Sequence, residues 1–295
     1  MRRLYSSRYL AIRSAQQDDR ISFSAKNWDE RVAAAEQIAR GPGFRRLREA
    51  IIELASPQPQ DVVIDVGSGT GLLALAFAER CTSVWAIDSS RAMGEYLRVK
   101  AASGGLRNVE TVHASAESLP LVDGLADIVV SNYCMHELPD EAKLRALEEF
   151  KRVLKPGGRL VIGDMMFSLN PLSERDRAIV IGKVRAIAAR GVPGMWRLAK
   201  NAARLAAGRW ESPADADWWR EALRRAGFVA VSVTPLSHEG GIARACAPRH
   251  EPHGSACSVA TPGTVPSAER LDSEELRRLR YPSRNAVVTR STTPS

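Results

Sequence analysis

The stretch Val63-Ile64-Asp65-Val66-Gly67-Ser68-Gly69-Thr70-Gly71 decides how the rest of the chain is read. Its first half belongs to a short apolar run, Val62 to Val66, of the kind that forms a strand buried on both faces. The apolar, Ala-rich segment Leu72 to Arg80 then suits a helix, which puts the glycines at a strand-to-helix turn. Open α/β sheets bind ligands at such turns, and glycine lets the backbone turn tightly and approach a ligand closely. The spacing is G-x-G-x-G, with Leu72 where a dinucleotide fingerprint places its last glycine. Asp65, just before the loop, would repel a pyrophosphate and attract a sulfonium or an ammonium. The expected ligand is a nucleoside with a cationic tail.

Working outward, strand and helix alternate. Ser83 to Asp88 reads as a second strand, Arg91 to Ala102 as a helix, Asn108 to His113 as a third strand and Ala126 to Ser131 as a fourth. A helix from Asp140 to Leu154 follows, then a Lys155-Pro156-Gly157-Gly158 turn and a fifth strand, Arg159 to Asp164. Such repetition demands a mostly parallel sheet with helices on both faces. Asp88 closes the second strand 21 residues after Gly67, where an acid can accept both hydrogen bonds of a ribose diol. That feature supports a nucleoside without choosing between cofactors.

After the fifth strand the rhythm breaks. Residues 173–210 read as two helices separated by Gly191-Val192-Pro193-Gly194. Ala214 to Ala226 reads as a helix capped by Ser212 with Pro213 at its first position. Phe228 to Thr234 and Ile242 to Cys246 read as a last pair of strands.

The chain has 295 residues, 44% hydrophobic and 26% charged, which excludes wholesale disorder. No uncharged apolar run approaches the roughly 20 residues of a membrane span. Four scattered cysteines do not make a disulfide scaffold, so a reducing, cytoplasmic setting is expected. The net charge is +8, and it is concentrated: residues 173–210 hold nine Lys or Arg against Glu174 and Asp176. Residues 1–25 read as a flexible basic arm, 26–246 as the folded domain with an insert at 170–210, and 247–295 as a disordered tail. Cys246, His250, His253 and Cys257 are ligand types for zinc, but they lack a C-x2-C knuckle and are interrupted by prolines, so no metal site is assigned.

In order along the chain, VIDVGSGTG (63–71), VWAIDSS (84–90), VHASAESLPL (112–121), ADIVVSNYCMHEL (126–138) and FKRVLKPGGRLVIGDM (150–165) resemble the class I S-adenosylmethionine-dependent methyltransferases. The resemblance is to the small-molecule branch, near the quinone-biosynthesis and related bacterial enzymes. It implies a Rossmann-like sheet of seven strands, mostly parallel, that ends in an antiparallel hairpin, with a helical lid insert. It also implies roles. Asp65, Gly67, Ser68, Gly69 and Gly71 would hold the methionine portion of the cofactor, and Asp88 the ribose. Ser89 and Met93 would flank the nucleoside, Ser115, Ala116 and Glu117 would face adenine, and Asn132 would meet the methionine amino group. The family commonly has Asp where this chain has Ser115.

Methyl transfer from a sulfonium is an in-line displacement that mainly needs alignment and exclusion of water. A base is needed only when the acceptor bears a proton. His136 is the candidate base or substrate contact, with Tyr133, Trp196 and His238 as further substrate contacts. No N-P-P-Y-like motif follows the fourth strand, so no nucleic-acid partner is expected. The basic insert could instead attract an acidic substrate or an anionic membrane surface, and its tryptophans an aromatic acceptor. Two other readings stand beside the methyltransferase: a cofactor-binding regulatory protein without turnover, and a nicotinamide oxidoreductase.

Overall fold

A computed structural model describes residues 27–168, 172–206, 211–236 and 238–249. The expected basic arm and nearly all of the expected tail, including His250, His253 and Cys257, lie outside the described residues. A 3-10 turn at Asp29–Arg31 leads into helices α1 (Val32–Ala39) and α2 (Pro42–Ala55). Then come β1 (Val62–Val66), α3 (Ala74–Ala78), β2 (Ser83–Asp88), α4 (Arg91–Ser103), β3 (Val109–His113) and β4 (Ala126–Asn132). A 3-10 turn at Met135–Glu137 precedes α5 (Asp140–Val153) and β5 (Leu154–Met165). The insert forms α6 (Glu174–Ala188) and α7 (Val192–Ala206), and the chain closes with α8 (Ala216–Arg225), β6 (Val229–Pro235) and β7 (Gly240–Cys246).

The seven strands form one sheet in the order β3-β2-β1-β4-β5-β7-β6. β3, β2, β1, β4 and β5 run parallel, while β7 is antiparallel to both β5 and β6. This is the Rossmann-like sheet and terminal hairpin expected from the resemblance. Successive residues of a strand point to opposite faces, so both faces of β1 need cover. Ile64, Trp85, Val129 and Leu160 pack with Phe150 of α5 and Trp219 and Leu223 of α8 on one side. Val63, Val84, Ile128 and Val161 pack with Ile51 of α2, Phe77 of α3 and Leu97 of α4 on the other. Strand order reverses between β1 and its two neighbours, and a crevice opens there at the carboxyl ends of the strands.

Several local expectations change in detail. The α3 segment is helical only over Ala74–Ala78, because turns occupy both flanks. The Lys155-Pro156-Gly157-Gly158 turn is a bulge inside a longer strand: Leu154 pairs with Ala126 and Arg159 already with Ile128. Helix α8 is capped by Asp215, which accepts from the amides of Asp217 and Trp218 at 3.1 and 2.9 Å, and not by Ser212. The Ser212 amide instead donates to the His136 carbonyl at 2.8 Å, and its own carbonyl accepts from buried Lys143 at 2.6 Å. The Val192-Pro193-Gly194 segment opens α7 and does not merely separate two helices. A Cβ at Gly194 would come within 1.9 Å of the Ile187 carbonyl oxygen, so only glycine lets α7 cross α6 this closely. No helix among the described residues is long and apolar enough to cross a membrane.

The α6–α7 insert is fastened to the sheet through Arg175. Its guanidinium donates to the carbonyls of Met166, Leu236, His238 and Gly240 at 2.8 to 3.2 Å. Asp176 accepts from the amide and hydroxyl of Ser168, and Lys183 lies 4.8 Å from the centre of the Phe167 ring.

Candidate functional site

A cavity of about 290 Å³ occupies the crevice at the carboxyl end of β1. The glycine loop forms its floor. Gly67 sits at φ +71°, and a Cβ there would fall 2.2 Å from the Cys134 sulfur, so both the backbone angle and the contact require glycine. The Gly67 and Ser68 amides donate to the Ile87 carbonyl at 2.8 and 3.0 Å, which anchors the loop to β2. Gly71 lies outside the cavity lining; its missing Cβ makes room for Leu97.

Two carboxylates face the cavity. Asp88 accepts from the Gly69 and Ser90 amides, both at 2.8 Å. Burial pushes its pKa up, and those two hydrogen bonds only partly offset the shift. Asp65 is 2% exposed, and its Oδ2 has no hydrogen-bond partner among the described residues. Burial, and secondarily the charge of Asp88, lift its pKa to about 7 despite the Ala74 amide. The Ser68 hydroxyl and the Asn132 Oδ1 are also buried without a partner. Buried polar atoms are rarely left unpaired, so three such atoms around one cavity mark a place for a polar, cation-bearing molecule. These groups fit the ribose and amino-acid ends of S-adenosylmethionine, and the Asp65 carboxylate, when ionised, would repel the pyrophosphate of a dinucleotide.

The expected cofactor contacts Ser89, Met93, Ser115 and Ala116 line the same cavity, but Glu117 does not. Its carboxylate turns toward α5 and takes a 2.8 Å hydrogen bond from Arg145, while its amide donates to the Ser115 hydroxyl at 3.2 Å. Tyr133 and His136 line the end of the cavity beyond Asn132. Tyr133 is held at φ +50°, an uncommon conformation for a bulky residue, and its ring lies 4.8 Å from that of Phe44.

His136 is 7% exposed and clasped by Asp164 at the end of β5. Its amide donates to Oδ2 at 3.0 Å, and Nδ1 lies 2.6 Å from Oδ1. Nε2 is 3.4 Å from Glu137. Burial alone would lower the imidazole pKa; the charge of Asp164 and the hydrogen bonds to both carboxylates outweigh it and lift the pKa to about 10. His136 thus lines the cavity as the sequence expected of a base or substrate contact, and the two carboxylates orient its ring and favour its protonated form. His136 positions Glu137, whose carboxylate also faces the cavity. Glu211 joins them, and the three side chains bring one ligand-type atom each within 4.8 Å of one another. Within this cluster the His136 ring pairs with Asp164 through Nδ1 and with Glu137 through Nε2.

Two further expected substrate contacts are not brought to the cavity. Trp196 is on α7 and 74% exposed, outside the cavity lining. His238 is also outside the lining, in the turn before β7, where its Nδ1 accepts from the Gly240 amide at 3.0 Å. The cavity is covered instead by Trp28, Ala35, Ile38, Ala39 and Phe44 from the turn and helices ahead of β1. Asp29 fastens that cover: it accepts from the Ser90 hydroxyl at 2.5 Å and the Ala92 amide at 3.0 Å. Those two hydrogen bonds hold its pKa low. These cover residues carry no motif. The one available signal was Pro42 after Gly41, a helix start ahead of an amphipathic run.

Comparison with known proteins agrees with this geometry. A methyltransferase domain family model matches residues 63–158. The uncharacterized methyltransferase YcgJ of Bacillus subtilis (strain 168) is 34% identical over 114 residues, covering 39% of this chain and 44% of that protein. The ubiquinone/menaquinone biosynthesis C-methyltransferase UbiE of Vibrio campbellii is 35% identical over 140 residues, covering 45% of this chain and 52% of that protein. The chain thus spans about half the length of these curated relatives. In fold it is similar to a SAM-dependent methyltransferase from Aquifex aeolicus, with a TM-score of 0.52 at 20% identity, over 75% of this chain and all of the other. The matched segment is a methyltransferase domain over residues 63–158, and with the strand order and the glycine loop with its two acids it makes this chain similar to the class I S-adenosylmethionine-dependent methyltransferases, UbiE-like and related bacterial proteins among them.

Proposed function

We propose that the chain transfers a methyl group from S-adenosylmethionine to a small-molecule acceptor. The observation that carries this reading is the unpartnered, buried Oδ2 of Asp65 behind the glycine loop, 23 residues before Asp88. Asp65 would take the methionine ammonium, together with Asn132, and Asp88 the ribose hydroxyls. When bound, the cofactor supplies an electrophilic methyl on a cationic sulfur. The chain's own work is to align the acceptor and keep water out. Trp28, Phe44 and Tyr133 give the cavity aromatic walls, which favours an aromatic acceptor. Where that acceptor bears a proton, the Glu137 carboxylate is placed to receive it. The names of the UbiE relatives agree with a quinone-like acceptor methylated at carbon.

Titration calorimetry with S-adenosylmethionine and S-adenosylhomocysteine tests the cofactor assignment. Removing a charged acceptor of two hydrogen bonds, as in Asp88→Ala, should weaken binding by about a hundredfold. A cation favours the ionised form of Asp65, so binding should release protons near pH 7 and tighten as pH rises through 7. Proton uptake on binding, or unchanged affinity in Asp88→Ala, would refute the assignment. Turnover is then read from labelled methyl groups on a panel of phenols and quinols.

A further inference from the structure

The fold leaves α7 facing the wrong way for an ordinary surface helix. Of nine exposed large apolar side chains among the described residues, six lie between Leu172 and Trp196. Val192 is 84% exposed, Trp196 74% and Met195 57%, while Ile181 and Val184 are exposed one helix earlier, on α6. At 3.6 residues per turn, Val192, Met195, Trp196, Ala199 and Ala203 share one side of α7. Arg197 and Lys200 stand beside that side, and both are exposed. The face of α7 packed on α6 is the remaining one, with buried Gly194 and half-buried Leu198 and Asn201. A helix that only caps a domain hides its apolar stripe and solvates its charges. This one presents apolar and basic side chains together.

Contiguous exposed apolar surface marks an interaction site. A helix with Trp and aliphatic residues on one face and Lys or Arg along the flank is built to lie in a lipid interface. Charge selects the partner: on α6, α7 and the turn between them Arg177, Arg185, Arg190, Arg197 and Lys200 are exposed, against Glu174 as the exposed acid, since Asp176 is buried. An anionic bilayer complements this surface, whereas a second copy of it would be repelled. We propose that the α6–α7 hairpin docks on anionic lipid membranes, with Val192, Met195 and Trp196 entering the acyl boundary and Arg197 and Lys200 meeting the headgroups. The proposal concerns a different face from the cofactor cavity and does not depend on the reaction proposed there.

The test is flotation of the full chain with vesicles of phosphatidylcholine alone or mixed with phosphatidylglycerol. Binding is expected only to the mixed vesicles, falling as salt is raised. Val192→Glu with Trp196→Glu should weaken it by about tenfold or more, and Arg197→Glu with Lys200→Glu by about as much. All four side chains are exposed, so the melting temperature should stay unchanged in both variants. The tryptophan emission should shift to the blue on binding, and Trp196→Phe should abolish that shift. Three results would overturn the proposal: no binding to mixed vesicles, binding that survives Val192→Glu with Trp196→Glu, or a self-association that the same variant abolishes.

Discussion

Asp65 and His136 are both buried and both titrate far from their usual range, for opposite reasons. Asp65 lacks a counter-charge, so burial favours its neutral form. His136 has two carboxylates beside it, so its cationic form is favoured in spite of burial. The stability consequence has a definite sign. A histidine whose pKa rises from 6.5 to about 10 on folding stabilises the native state fully below pH 6.5 and progressively loses that contribution as pH rises through 10. Urea unfolding of the wild type and His136→Gln across this window should therefore show the wild type's advantage shrinking with pH. An advantage that stays constant or grows would mean that the ring is neutral. The acids and glycines of this site were legible because local backbone chemistry dictates them. The partner of His136 was not, since Asp164 lies 28 residues away and reaches it only through the pairing of Asn132 with Gly163 across β4 and β5.

At the scale of elements, the strand-turn-helix unit of β1 and α3 is the least tolerant of change. Gly67→Ala would place a methyl group into Cys134 and strain a left-handed backbone, so a loss of about 1–3 kcal/mol is expected. Because the displaced loop carries Asp88's partner Gly69, cofactor binding should fail in the same variant at temperatures where it is still folded. Circular dichroism with calorimetry checks both, and unimpaired binding would show that the loop geometry is not needed. Element boundaries were less legible than element types. Ser212 before Pro213 has the composition of a helix start, yet Asp215 won because its carboxylate reaches two free amides while Ser212 is claimed by His136 and Lys143. The glycines at 157 and 158 do make a turn, but β5 continues on both sides of it, which only the pairing with β4 reveals.

The whole molecule divides the labour between sheet and cover. Strand ends supply the polar groups of the cavity, whereas α1, α2 and the turn before them supply its apolar lid. A chain beginning at Gly41 keeps α2, whose Ile51 is fully buried in the core, and loses Trp28, Asp29 and α1. It should remain folded and bind the cofactor about tenfold more weakly, as calorimetry against the full chain would show; equal affinity would mean that the cover is dispensable. The sheet was legible in the sequence because alternating strands and helices admit few topologies. The cover was not, since apolar helices ahead of the first strand carry no chemistry of their own, and the insert's position invited a lid reading that Trp196 does not fulfil. The four carbonyls gripped by Arg175 give the insert a mechanical character of its own. A load applied to its outer tip would be delivered through Arg175, with Asp176 and Lys183 beside it, to the ends of β5, β6 and β7, so the hairpin behaves as a bracket bolted to the frame and not as a tethered flap.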